Sequence, residues 1–157
     1  MDIESLTVTT PGDRVIVMTR LFDAPRSVVF KAWTQPEHVA QWWDPSGTPL
    51  SVCEIDLRPK GMFRWVHAGG AAHEFSGTYQ EITAPERLVF TVAMFPTRPA
   101  PLATLLFTEF GTKTKLTMTI ACASTDDRDS LLQMRVDEGT SQTFRNLAQY
   151  LTKADLS

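Results

Sequence analysis

Residues 102–123 read LATLLFTEFGTKTKLTMTIACA, and this stretch decides the fold. Leu102 to Phe110 and Lys113 to Ala123 are two β-prone runs joined by Gly111-Thr112, a two-residue Gly-X hairpin of type II′ character. In the second run Leu116, Met118 and Ile120 alternate with threonines, including Thr117 and Thr119. A period of two gives one inward and one outward face, as in an antiparallel sheet that is wet on one side.

Beyond the hairpin the pattern turns helical. Thr125-Asp126-Asp127 and Asp129 offer cap oxygens and negative charge for a helix N-terminus. Leu132, Val136, Thr140, Phe144, Leu147 and Leu151 recur at three- and four-residue spacing. One helix from Asp127 to Lys153 would span about 40 Å at its rise per residue, enough to cross a whole sheet. Gly139 sits in mid-helix, where it costs about 1 kcal/mol relative to alanine and leaves room for a close neighbour.

On its N-terminal side the hairpin continues a meander. Leu50 to Leu57, Met62 to His67, His73 to Ile82 and Leu88 to Met94 read as strands. Between them lie Arg58-Pro59-Lys60-Gly61, which reads as a type I turn, a loose loop with Gly69-Gly70, and Ala84-Pro85-Glu86. A loop with Pro96, Pro99 and Pro101 leads into Leu102. The N-terminal strand is Arg14 to Phe22, and residues 1–12 read as a flexible segment of the same single domain, 1–157. Two short helices come after that strand, Arg26 to Trp33 and a second announced by Thr34 and Glu37 as a capping box with Pro36 inside. The order predicts an α+β domain: a bent antiparallel sheet of about seven strands around a long C-terminal helix, with the cleft between them as the default site.

Composition narrows the function classes. At 43% hydrophobic and 21% charged residues, the chain has the make-up of a globular protein rather than a disordered one. Its net charge of −3, with basic residues scattered, argues against nucleic acid or an anionic membrane as partner. The N-terminus lacks the basic and apolar regions of a signal peptide, so the expected location is the cytoplasm. Cys53 and Cys122 are expected as separate thiols. There is no nucleophile elbow, phosphate-cradling loop or dinucleotide fingerprint, and nothing points to a cofactor.

Several segments carry a family resemblance. They are Thr19-Arg20-x-Phe22-Asp23-Ala24-Pro25-Arg26, Phe30-Lys31-Ala32-Trp33-Thr34, Pro36-Glu37-His38 with Gln41-Trp42-Trp43, Asp56-Leu57-Arg58-Pro59-Lys60-Gly61, Phe75-Ser76-Gly77-x-Tyr79 and Pro85-Glu86-Arg87-Leu88-Val89-Phe90. In this order they resemble the SRPBCC/START-like helix-grip superfamily, in the group named after the C-terminal domain of the heat-shock-protein-90 ATPase activator. The resemblance implies a helix-grip fold and, for many members, an apolar cavity. It does not by itself fix a function. The group usually has Gly-Gly where this chain has Lys60-Gly61, and often Gly-Trp where it has Gly139-Thr140. Loss of an indole at Thr140 would enlarge or reshape a cavity if that position faces inward.

The leading expectation is therefore a binding module for a small hydrophobic or aromatic ligand. Candidate wall residues are Trp42 or Trp43, Phe63, Trp65, Phe75, Phe90, Met94, Leu106, Met118, Val136 and Thr140. Adjacent Trp42 and Trp43 are not expected to face inward together, so one belongs to a lid or the surface. Arg64 would anchor a ligand carboxylate or phenolate if it points inward, and would join an outer-face charge pair with Glu74 if it does not. His67 and His73 flank the glycine loop and could face each other, but need a third ligand such as Glu74 to hold a metal, so no metal is expected. His38 is expected to be exposed. The alternatives are a cyclase, hydrolase or lyase using polar groups in the same cavity, with catalytic residues unassigned, and a chaperone-associated interaction module using the outer sheet face. A homodimer is left open.

Overall fold

The computed structural model describes residues 6–67, 74–93 and 98–153. Its strands are β1 (Thr7–Thr9), β2 (Val15–Phe22), β3 (Val52–Ile55), β4 (Met62–Val66), β5 (Glu74–Thr83), β6 (Arg87–Val92), β7 (Leu102–Phe110) and β8 (Lys113–Ala121). The helices are α1 (Arg26–Thr34), α2 (Pro36–Trp42), α3 (Thr125–Gln133) and α4 (Val136–Lys153). All eight strands form one antiparallel sheet in the order β1-β2-β8-β7-β6-β5-β4-β3. The sheet is curved and unclosed, with helices gathered on its inner face. This is the expected α+β, helix-grip architecture.

The eighth strand comes from the N-terminal segment expected to be flexible. Thr7, Val8 and Thr9 pair with Thr19, Met18 and Val17 and extend the sheet beyond β2. Three β-branched residues suit that edge, although none of them is buried.

The β7–β8 hairpin has the register the alternation requires, with Leu105 opposite Met118 and Ala103 opposite Ile120. Its inner face buries Leu105, Phe107, Leu116 and Met118. Gly111 turns the hairpin at φ 66°, where a side chain would be strained. The Arg58–Gly61 turn closes with Gly61 N–H donating to Arg58 O at 2.8 Å. Lys60 has φ 70°, so the turn is of type II and not type I.

Three helix expectations are corrected. Thr34 does not cap the second helix. It ends α1, and its hydroxyl donates to Phe30 O at 2.9 Å, while Gln35 holds the N-cap position of α2 without a side-chain bond. The cap of α3 is Ser124, whose hydroxyl accepts from Asp127 N–H. Asp126 and Asp127 instead place charge in the first turn, where the helix dipole favours it.

Most consequentially, the long C-terminal helix is two helices. The chain breaks at Met134-Arg135, with Arg135 at φ 62° as a left-handed cap. Asp137 and Glu138 then open α4 as first-turn acids. On α3, Leu131 is fully buried and Leu132 only partly.

Both cysteines are free thiols, Cys122 buried and Cys53 half-buried on β3. Burial, with Glu37 nearby, pushes the Cys53 thiol up to about 11. No helix among the described residues is long and apolar enough to cross a membrane.

Candidate functional site

The inner face of β5 to β8 supplies the floor of a cavity of about 250 Å³. Phe75, Phe90, Val92, Ala103, Met118 and Ile120 rise from these strands at alternate positions. Trp33 closes the α1 side, Trp43 and Pro45 come from the loop after α2, and Leu131 to Phe144 form the helical roof. The helix break places Met134, Arg135 and Val136 on this roof, with Gly139, Thr140, Thr143 and Phe144 one and two turns further on.

The loop after α2 is pinned from two sides. From α4, Thr143 donates its hydroxyl to Trp43 O at 3.2 Å, and Asn146 donates its amide to Asp44 O at 2.9 Å. From the end of β4, His67 Nδ1 lies 3.1 Å from Asp44 Oδ2. An ionised carboxylate only accepts, so Nδ1–H is the donor. Burial acts to raise the Asp44 carboxyl. Hydrogen bonds from the Ser46 backbone N–H, His67 and the Ser46 hydroxyl outweigh it and hold the group below its ordinary value. These contacts seat Trp43 over the sheet, its ring 4.6 Å from Phe75 and 4.8 Å from Trp65.

Of the residues expected to form the wall, Trp43, Phe75, Phe90, Met118, Val136 and Thr140 line the cavity. Phe63 and Trp65 are each 2% exposed but stand behind the wall, packed on Phe75. Trp42 belongs to the core, against Trp33 at 4.8 Å, with Nε1–H donating to Ala32 O at 3.0 Å. Trp42 and Trp43 both turn inward after all, because neighbours on a helix lie about 100° apart and fit within one broad inner arc.

Leu106 is corrected to the outer face, where it is 40% exposed. Its position is set by register: Leu105 and Phe107 take the inward places on β7. Arg64 is corrected likewise. It alternates with inward Phe63 and Trp65, so it points outward and bonds Glu74 at 2.6 Å and Glu54 at 3.3 Å. Met94 and His73 lie outside the described residues.

The residues missed as wall include Trp33, His67, Val92, Ala103 and Ile120. The strand alternation that picked Met118 contained the signal for Ile120. His38 is not simply exposed: its Nδ1 meets the Tyr150 hydroxyl at 2.6 Å and ties α2 to α4. Among the described residues no His, Cys, Asp and Glu cluster could hold a metal ion.

A curved antiparallel sheet gripping a C-terminal helix over an apolar cleft defines a helix-grip protein. The chain belongs to the family described as Activator of Hsp90 ATPase homolog 1-like protein, which matches residues 23–152. Among solved structures it is similar to a protein of Nitrosomonas europaea at 26% identity and a TM-score of 0.80, covering 92% of this chain and 97% of that one. A protein of Rhodobacter sphaeroides superposes with a TM-score of 0.83 at 19% identity, over 96% and 99% of the two chains. An HSP90 activator from Plasmodium falciparum shares the fold at a TM-score of 0.68 and 21% identity, over 88% and 96%. No curated protein is significantly similar to this chain in sequence.

Proposed function

We propose that this protein binds a small hydrophobic or aromatic molecule in the cleft between the sheet and the α3–α4 roof. The observation that carries this reading is the cavity of about 250 Å³ whose wall is built from Trp43, Phe75, Phe90, Met118, Val136 and Phe144. Desolvating an apolar ligand on such a wall supplies affinity at about 25 cal/mol per Å² of apolar surface buried, and a few polar groups set orientation. The polar side chains on the wall are His67, Arg135, Thr140 and Thr143.

A chaperone-associated role, suggested by likeness to the Plasmodium HSP90 activator, finds less support. The exposed Leu102, Leu106 and Phe110 of β7 are separated by Thr104 and Thr108. On β8, Thr117 stands opposite Leu106 and Lys115 opposite Thr108, so the outer face is not broadly apolar.

The test uses N-phenyl-1-naphthylamine, an uncharged probe that fluoresces in apolar surroundings. The native protein is expected to bind it saturably at one site, and Thr140→Trp, which fills the roof, to weaken binding at least tenfold. Equal binding by the two proteins would place the site elsewhere.

A further inference from the structure

A histidine on the cavity wall has its orientation fixed by a residue that is not part of the wall. His67 follows Phe63 and Trp65 at alternate positions along β4 and its continuation, lines the cavity, and keeps its side chain 24% exposed. Its Nδ1–H donates to Asp44 Oδ2 at 3.1 Å, and Asp44 does not line the cavity. With the proton on Nδ1, the lone pair of the ring lies on Nε2, away from the edge that Asp44 holds. A carboxylate that accepts from one imidazole nitrogen fixes the tautomer and strengthens the other nitrogen as an acceptor. Asp44 suits that role, since its hydrogen bonds hold its carboxyl below the ordinary value and so ionised at neutral pH.

The other polar side chains of the wall are engaged differently. Thr143 donates its hydroxyl to Trp43 O. The Arg135 guanidinium bonds Glu138, is 67% exposed, and has no lone pair to offer. Thr140 brings a hydroxyl, which donates and accepts and so selects neither. A ligand hydroxyl entering an apolar site must find an acceptor there or forfeit affinity.

We propose that the natural ligand is an aromatic molecule with a phenolic hydroxyl, whose O–H donates to His67 Nε2. Its ring lies against Trp43, Phe75 and Phe90, the aromatic part of the wall. A phenol is favoured over an aliphatic alcohol because its more acidic O–H matches an acceptor strengthened by Asp44. The inference rests on the apolar-ligand reading and narrows it to one chemical class.

Two probes of nearly the same shape test it, 1-naphthol with the hydroxyl and 1-methylnaphthalene without it. Calorimetric titrations are run at about pH 8, above the usual range of imidazole and below that of a phenol. The variant is His67→Asn, whose amide N–H can replace Nδ1–H toward Asp44 while nothing replaces Nε2. The affinity ratio of naphthol to methylnaphthalene is expected to fall about fivefold or more from native protein to His67→Asn, because the comparison cancels the ring volume lost. A ratio unchanged within about twofold, with both probes bound, would overturn the inference and leave the binding reading intact. Failure of both probes to bind the native protein would remove the binding reading and this inference with it. A second measurement needs no variant: the Nε2 nitrogen resonance of His67 in native protein should move upfield with 1-naphthol and not with 1-methylnaphthalene. An unmoved resonance would equally overturn the inference.

Discussion

At the scale of single residues, two positions show how local chemistry sets backbone and site. Lys60 holds φ 70°, a conformation that costs a side-chain-bearing residue about 1–2 kcal/mol relative to glycine. The family resemblance already marked this place as one where glycine is usual. Lys60→Gly is therefore expected to raise the stability of the protein by about 1 kcal/mol in denaturant unfolding, and a loss would mean that the lysine side chain stabilises the turn. Asp44 fixes the loop that carries Trp43. Its carboxyl lies below its ordinary 3.8 in the folded protein, so its ionised form contributes stability above that value. That contribution is lost as pH falls through the lower folded value. Asp44→Asn should thus be less stable than the native protein at neutral pH, with the gap closing below 3.8. A gap that stays constant with pH would contradict this. The role of Asp44 was not legible in the sequence, because it acts through Ser46 in its own loop and through His67 and Asn146, which the fold and not a motif brings to it.

At the scale of elements, alternation and register carried most of the predictive power. Met118 and Phe90 could be placed on the inner face because the period of two leaves them no other side, and the same rule sends Arg64 and Leu106 outward. The helices were harder. The apolar stripe from Leu132 to Leu151 looks continuous, yet the chain breaks at Met134-Arg135, and the local cue was the acidic pair Asp137-Glu138 before Gly139. The break matters to the proposed site, since it sets Arg135 and Val136 on the cavity roof. Strand packing makes its own prediction at Gly77. A Cβ there would stand 1.8 Å from Thr91 O and 2.9 Å from the Phe63 ring, so β5 and β6 could not keep their pairing. Gly77→Ala is expected to destabilise the protein by about 2 kcal/mol or more, read as a shift in the unfolding midpoint. A change near zero would show that β5 can shift at little cost.

At the scale of the whole molecule, one sheet and its helices enclose an apolar space whose wall comes from almost every part of the chain. The order of strands and helices was legible from turns, caps and periodicity. The cavity was legible only as an architecture, because its wall depends on how α3, α4 and the Trp43–Asp44 loop meet the sheet over long sequence separations. The central claim is that a ligand occupies this inner space and not the outer face. Intermolecular nuclear Overhauser contacts between bound N-phenyl-1-naphthylamine and protein methyl groups test it directly. Contacts to Val92, Met118, Ile120 and Val136, which line the cavity, are expected. Contacts confined to Met62, Leu102 and Leu106, which are exposed, would contradict it.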